Sequence, residues 1–197
     1  MNCCGTRIIE TDRLILRRFE VSDAALMYRN WASDPEGTKF LTWKPHKDEE
    51  ETRALLSEWV ADYERSDCYN WIIVLKGERA EPVGSISVVR IEETTRCMTI
   101  GYCIGKAWWR REITSEALDA VIDHLFKNTD VLRIESYHDS DNPNSGGVMK
   151  KCGMKYEGTL RGHDLNNRGI VDACYYSILR DEPRERLPKK INEQNHY

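Results

Sequence analysis

The sequence of 197 residues has no apolar run near the roughly 20 residues that a membrane-spanning helix needs. The longest apolar runs, such as residues 71–75, stop after a few positions, so no membrane partner is expected. No apolar stretch follows a positive one in residues 1–7, and no secretory signal is therefore expected. Internal repeats and low-complexity linkers are also missing, which argues against fibrous and disordered classes.

Patterns typical of metal sites and disulfides are missing as well. The seven cysteines are odd in number and contain no C-x-x-C pair, so reduced thiols and a cytoplasmic location are expected. The five histidines are scattered, and neither a metal site nor a metal cofactor is predicted. A net charge of −4 gives no basic footprint for nucleic acid and mildly favours a cationic or amine partner.

The residues that are present fit one globular domain. Hydrophobic residues make up 40% of the chain, which is enough for a core at this length. We expect a single domain over residues 8–182, followed by a polar carboxyl-terminal tail over residues 183–197.

Hydrophobic periodicity predicts the order of strands and helices. A half-buried strand at residues 11–19 precedes a helix that is capped by Ser22 or Asp23 and runs toward Ala32. The later elements are a helix from Asp48 to Tyr63, strands at 70–76, 83–91 and 97–104, a helix at 114–127, a strand at 131–137, a helix at 144–151, and strands at 155–161 and 170–179. The hairpin-like strands imply antiparallel pairing, and the strand–helix–strand unit requires a parallel pair. The predicted fold class is α+β, with a mixed, mostly antiparallel central sheet flanked by helices.

The segment from Thr99 to Ala117 contains a strand end, a short loop and a helix start in succession. Helix amino termini offer unpaired N–H groups and a partial positive charge, so they hold phosphates well. Arg110 and Arg111 lie just before this terminus. The pattern fits an anion site, and it equally fits an ordinary strand–loop–helix with a solvated basic pair.

A second informative region, residues 133–158, joins a strand, an Asn-Pro-Asn-Ser turn, a short helix and another strand. Asn142 or Asn144 could bind an amide-bearing ligand or could cap the helix, and Ser145 has the same two interpretations. Gly153 is predicted to end the helix as its C-cap.

Together these regions resemble the coenzyme A-binding core of the GNAT superfamily (Gcn5-related N-acetyltransferases). More narrowly, they resemble its Rim-type branch, which acetylates the amino termini of ribosomal proteins. The family's tyrosine-tryptophan-glycine-x-glycine segment, which ends in glutamate-alanine-leucine, is matched by Trp108, Trp109 and Glu116 to Leu118. Its Asn-x-x-Ser and Lys-x-Gly-Phe-like stretches are matched by Asn142, Ser145, Lys151, Gly153 and Met154. The likeness covers about residues 8 to 182.

The resemblance implies the GNAT fold and an N-acetyltransferase that moves an acetyl group from acetyl-CoA to a primary amine. The amine would attack directly while both substrates are bound. Main-chain groups near Cys103 and Ile104 would hold the pantetheine arm and the carbonyl oxygen. The other implied cofactor-binding residues are Trp109, Arg110, Arg111, Glu112, Ile113, Thr114, Ser115, Asn142 and Lys150.

The resemblance also implies the catalytic residues. Many members use a tyrosine late in the short helix as the acid that protonates the departing thiolate, but Met149 stands there in this chain. The Rim-type branch uses a serine at the start of that helix, which corresponds to Ser145. Asp164 is the implied base, acting through water, and Glu157 is its rival. His163 has a suitable ordinary pKa, but a single loop histidine is usually just exposed.

One departure from the family concerns two glycines of its pyrophosphate loop, which are Arg110 and Glu112 here. A carboxylate beside a pyrophosphate is unfavourable, and side chains crowd such a loop. An acyl-CoA-binding module without activity is therefore one alternative. An acetyltransferase for a small molecule, an aminoglycoside or a polyamine, is another. The acceptor is then either a protein amino terminus or a small amine, and a monomer and a homodimer both remain open.

Overall fold

A computed structural model describes residues 1–77 and 80–184 of the chain. The strands in these ranges are β1 (Ile9–Glu10), β2 (Leu14–Arg17), β3 (Asn70–Leu75), β4 (Glu81–Glu92), β5 (Cys97–Ile104), β6 (Arg133–Asp139), β7 (Lys155–Asn166) and β8 (Gly169–Leu179). The α-helices are α1 (Ala24–Met27), α2 (Glu49–Asp62), α3 (Ile113–Asn128) and α4 (Pro143–Lys151). None of the helices in the described ranges has both the length and the apolar character needed to cross a bilayer.

The strands form one sheet in the order β1-β2-β3-β4-β5-β6-β8-β7. Neighbouring strands are antiparallel except β5 and β6, which lie parallel and are joined through α3. This arrangement confirms the predicted α+β class with a mixed, mostly antiparallel sheet.

Helices cover both faces of the sheet because strand residues alternate between two apolar clusters. On one face, Met98 and Ile134 pack in a cluster with Leu118 and Val121 of α3. On the other face, the cluster of α1 and α2 includes Ile72 of β3. The sheet is therefore a central layer, with α3 and α4 on one face and α1 and α2 on the other.

The first helix differs most from its prediction. It begins with a 3-10 turn at Val21–Asp23 and ends in a π turn at Tyr28–Ala32. The Asp23 carboxylate accepts the N–H of Glu20 at 2.8 Å and two bonds from Arg17, and it makes no cap bond to α1. The other predicted cap, Ser22, donates its hydroxyl to the Glu20 carboxylate at 3.2 Å. Neither predicted residue caps α1, because both side chains are bound to residues that precede Val21.

The end of α4 matches its prediction. Gly153 has a φ of +78°, and its N–H donates to the Lys150 carbonyl at 3.0 Å. The N–H of Met154 donates to the Met149 carbonyl at 3.1 Å. These two bonds form a Schellman motif, so Gly153 is confirmed as the residue that ends the helix.

The predicted carboxyl-terminal tail lies outside the described residues from residue 185 onward. Before that point, the Arg184 guanidinium contacts α3, where it donates to Asp119 Oδ1 at 2.7 Å and to Asp123.

Two adjacent glycines in the first turns of α4 give a test of the packing. A Cβ atom on Gly146 would lie 2.5 Å from Nε2 of buried His138, whereas a Cβ on Gly147 would meet nothing within 4 Å. We expect Gly146→Ala to lower the free energy of unfolding by about 1–3 kcal/mol through overpacking. Gly147→Ala should raise it by about 0.5–1 kcal/mol because alanine favours the helix. Urea unfolding of both variants measures this, and equal effects would contradict the packing.

Candidate active site

The sheet opens into a fork between β5 and β6. The two strands pair only where Cys97–Thr99 lie beside Arg133–Glu135. Beyond Thr99, β5 continues to Ile104 along β4, while β6 continues along β8. One edge of β5 therefore has no strand partner there among the residues that the structure describes. Alternate main-chain groups of residues 100–104 therefore face the fork. Two of their carbonyls are already engaged, that of Ile100 by the Ser136 hydroxyl at 2.8 Å and that of Ile104 by Trp109 Nε1 at 3.0 Å, which leaves the other groups for a ligand.

The loop between β5 and α3 presents main-chain N–H groups that have no acceptor among the described residues. The N–H groups of six consecutive residues, Arg110 to Ser115, donate to no acceptor in the part of the chain that the structure describes. The first N–H of α3 with an intrahelical partner is that of Glu116, which donates to the Glu112 carbonyl. We call these six N–H groups the amide cradle. Together with the partial positive charge of the helix terminus, they form an arrangement suited to a phosphate.

At the two positions where the family has glycine and this chain does not, the loop backbone still has a conformation that favours glycine. Arg110 has a φ of +60° and Glu112 a φ of +61°. A left-handed conformation costs a non-glycine residue about 1–2 kcal/mol. The loop therefore keeps the glycine-type conformation although it carries side chains there.

The Glu112 side chain is held by α4. Its carboxylate accepts from Nζ of Lys151 at 2.5 Å, and the two side chains are 34% and 39% exposed. The predicted cofactor residue Lys150 lies elsewhere, with its ammonium 5.9 Å from the centre of the Tyr176 ring. Lys151 is thus the lysine that α4 directs toward the loop, a distinction that adjacent lysines in a sequence do not reveal.

The start of α4 borders the fork. The Tyr102 hydroxyl donates to the Ser145 carbonyl at 3.0 Å, which ties β5 to the first turn of α4. Asn142 occupies the cap position of α4, yet its side chain makes no cap bond. No partner for the Ser145 hydroxyl or the Asn142 amide is found among residues 1–77 and 80–184. Both polar groups are therefore free to meet a ligand in the fork.

A pocket of about 300 Å³ lies beside the base of the fork, on the face of the sheet opposite to α3 and α4. Its lining residues come from β4, β5, β6 and the β7–β8 hairpin: Val89, Arg90, Thr99, Tyr137, His163, Asp164 and Tyr175. The pocket brings together the predicted base Asp164 and the candidate His163, two neighbours that the sequence alone could not place relative to the fork.

A bulge in β7 directs Asp164 and His163 into this pocket. Residues 161–163 stand opposite the single residue Asp172 of β8. Gly162, with a φ of +59°, donates its N–H to Asp172 Oδ1 at 2.8 Å. Bulges of this kind re-aim side chains and are frequent beside active sites.

The rival base Glu157 is engaged in a bidentate ion pair. Arg133 donates to both of its oxygens, at 2.8 and 2.5 Å, and the Ser177 hydroxyl donates at 2.6 Å. Hydrogen bonding to Arg133 lowers the pKa of Glu157 to about 2. Glu157 is thus a weak base at neutral pH, and it is absent from the pocket lining.

A buried carboxylate fixes the base of the fork. Glu135 accepts from Thr99 Oγ1 at 3.0 Å, from Arg90 at 3.0 Å, and from Arg133 at 3.1 Å. These bonds, led by the one from Thr99, outweigh the effect of burial and lower the pKa of Glu135. Sequence periodicity gave no sign of this cluster, because its members come from three strands.

The cysteines near the site pack rather than react. Cys103 Sγ lies 3.4 Å from the Ser85 hydroxyl and packs against the cluster of α1 and α2, and burial raises its pKa. Cys152 is buried, and its thiol donates to the Ser115 carbonyl at 3.2 Å. Both thiols therefore serve as packing groups in this structure. Within the described ranges, no group of three or more His, Cys, Asp or Glu residues is placed to hold a metal ion.

Two positioning residues were not assigned from the sequence. Glu116 of the glutamate-alanine-leucine segment accepts from Thr11 at 2.6 Å and from Arg13 at 2.7 Å, which anchors the start of α3 to the β1–β2 turn. Asn167, in the β7–β8 turn, donates its side-chain amide to the Thr38 and Trp43 carbonyls at 3.0 and 2.7 Å. It holds the loop between α1 and α2 next to the hairpin that carries Asp164.

Comparison with known proteins gives one family match. The acetyltransferase (GNAT) domain family matches residues 13–155 of this chain.

Individual proteins show the same likeness over most of their length. An uncharacterized N-acetyltransferase p20 of Bacillus licheniformis is 28% identical over 172 residues, which cover 87% of this chain and 96% of that protein. The ribosomal-protein-serine acetyltransferase of Escherichia coli (strain K12) is 29% identical over 133 residues, 68% of this chain and 73% of that protein. Among solved structures, a ribosomal L7/L12 alpha-N-protein acetyltransferase in complex with coenzyme A has the same fold. Its TM-score is 0.76 at 22% identity, with 88% of this chain and 98% of that one covered.

Proposed function

We propose that the acceptor of this chain is the amino terminus of a protein. The chain belongs to the GNAT acetyltransferase family and to its Rim-like branch, and it is an acetyl-CoA-dependent acyltransferase. The observation that carries the proposal is the fork. It separates a phosphate-type cradle and a free serine hydroxyl, on the side of α3 and α4, from a pocket with a carboxylate on the other face.

The described residues fit acetyl-CoA at three points. The amide cradle would receive the pyrophosphate, the free edge of β5 would pair with the amides of the pantetheine arm, and Asn142 would donate to or accept from the same arm. Glu112 is the exception, because this acidic residue is itself part of the cradle and immediately precedes α3. The fold thus offers a matching donor set with one opposing charge.

We assign the two proton-handling roles to opposite sides of the fork. Bound acetyl-CoA supplies a thioester carbonyl that the neutral amine can attack. Asp164 would accept, through water, the proton that the alkylammonium must lose, since its carboxylate lines the acceptor pocket. Ser145 would pass a proton to the departing thiolate and take up the second proton that the attacking nitrogen loses as the amide forms, since its hydroxyl has no partner among the described residues. Main-chain N–H groups of the fork would stabilise the oxygen as it gains charge.

The pocket favours a cationic chain end. Tyr137 and Tyr175 stack with their ring centres 5.0 Å apart, and His163 meets Tyr175 edge-on at 6.0 Å. Aromatic faces beside the Asp164 carboxylate attract an ammonium group, and the positive charge of Arg90 in the pocket wall is paired with Glu135. The amino terminus of a protein has this charge, and the solved structure with the same fold is named a ribosomal L7/L12 alpha-N-protein acetyltransferase.

We also propose a cytoplasmic location, where ribosomal proteins are made. All seven cysteines are free thiols in this structure, as a reducing compartment requires.

A transfer assay on matched acceptors tests the proposed acceptor class. Purified protein is incubated with acetyl-CoA and a peptide with a free amino terminus, the same peptide with a formylated amino terminus, spermidine, or an aminoglycoside. We expect mass spectrometry to find one acetyl group on the free peptide only. Acetylation of spermidine or the aminoglycoside in preference to the peptide would favour the small-molecule alternative. Acetyl-CoA binding without any transfer would favour the module without activity.

A further inference from the structure

The loop that forms the amide cradle carries its own carboxylate, and we propose that Glu112 and Lys151 act as a latch on cofactor affinity. In the free protein Lys151 is bound to Glu112, and on binding it leaves Glu112 for a phosphate of acetyl-CoA. This inference rests on the proposed cofactor site and assigns Lys151 as a phosphate partner and Glu112 as its internal competitor.

The position of Glu112 makes it a competitor for the phosphate site. It immediately precedes Ile113, the first residue of α3, and its own N–H belongs to the cradle. Any phosphate held by the N–H groups on either side therefore comes close to the Glu112 carboxylate. Like charges that come within a few ångströms of each other at a partly buried position repel.

The position of Lys151 allows it to change its partner from Glu112 to a phosphate. It lies in the last turn of α4, and its ammonium reaches across to the start of α3. The other lysines near the loop are differently placed, since Lys106 pairs with Glu36 and Lys150 stacks over Tyr176. A phosphate in the cradle would present to Lys151 the same kind of anionic oxygen that Glu112 presents in the free protein.

Partial burial gives this ion pair more influence than a surface pair. Both side chains are only about one-third exposed, so solvent and salt screen their charges less than those of Lys106 and Glu36, which are 53% and 58% exposed. Removing the Glu112 charge should therefore release Lys151 and also remove the repulsion, and both changes favour phosphate binding.

Isothermal calorimetry of the full chain with acetyl-CoA tests the latch. We expect Glu112→Gln to tighten the dissociation constant by about tenfold and Lys151→Met to weaken it by about tenfold. The dissociation constant of the double variant should be close to that of the wild type, because the repulsion from Glu112 and the attraction from Lys151 are then removed together. S-acetylpantetheine, which has no phosphate, should show no change between wild type and Glu112→Gln.

A matched control is Glu36→Gln, which removes a carboxylate from the neighbouring pair with Lys106. It should leave acetyl-CoA affinity unchanged. Thermal unfolding of each variant without ligand checks that the fold is kept. Wild-type affinity in Glu112→Gln, or weaker binding, would overturn the latch while leaving the proposed function in place. If neither the wild type nor any variant binds acetyl-CoA, the proposed function itself fails.

Discussion

Ser145→Ala is expected to lower kcat by about 10²-fold or more while the acetyl-CoA dissociation constant stays within about twofold of the wild type. The hydroxyl has no partner among the described residues and lies in the first turn of α4, beside the fork. Without it, the thiolate has to leave with no positioned proton donor. Its contribution is therefore made in the transition state rather than in the bound ground state.

Steady-state kinetics at saturating peptide and calorimetry with acetyl-CoA measure the two quantities separately. Ser140→Ala is the matched control, because Ser140 is an exposed serine between β6 and α4. Its kcat should match that of the wild type. A Ser145→Ala variant with normal kcat and weakened acetyl-CoA binding would show that Ser145 holds the cofactor instead.

Asp164→Asn is expected to lower kcat/KM for the amine by about 10²-fold at neutral pH, with a loss that shrinks as the pH rises. An α-amino group has an ordinary pKa of about 7.7–8.0, so a growing share of the acceptor is already neutral above that range. The carboxylate is needed to accept the ammonium proton, and that need falls as the free amine becomes abundant. The variant's kcat/KM should therefore approach that of the wild type at pH 9–10.

The pH–rate profile between about pH 6 and 10 is the measurement, since a structural role would lower the rate equally across the range. Glu157→Gln is the control on the same strand. Its carboxylate is bound by Arg133 and is absent from the pocket lining, so its profile should follow the wild type. A constant deficit in Asp164→Asn, or a larger deficit in Glu157→Gln, would contradict the assignment of the base.

Local patterns were sufficient for most of the fold. The alternation in β5 and the apolar stripe of α3 are properties of neighbouring residues, so both elements could be predicted from the sequence. The first helix was less predictable, because its start depends on Arg17 of β2, which binds Asp23. The bulge at residues 161–163 likewise depends on Asp172 of the next strand.

The candidate site could be predicted only in part, for the same reason. The amide cradle follows from a strand end and a helix start, which are local features. The choice between Asp164 and Glu157 depends on Arg133, and the engagement of Glu112 depends on Lys151; both partners lie far away in sequence. Adjacent lysines in one helix also look alike in sequence, so only the packed helix distinguishes Lys151 from Lys150.

The central claim is that the cradle between β5 and α3 binds the pyrophosphate of a coenzyme A thioester while the fork accepts its pantetheine arm. Calorimetric titration of the wild-type chain with acetyl-CoA, with coenzyme A and with adenosine 3′,5′-bisphosphate tests it most directly. We expect one site per chain, similar affinity for the first two ligands, and weaker binding of the third. Absence of binding heat with acetyl-CoA and coenzyme A up to millimolar concentration would contradict it.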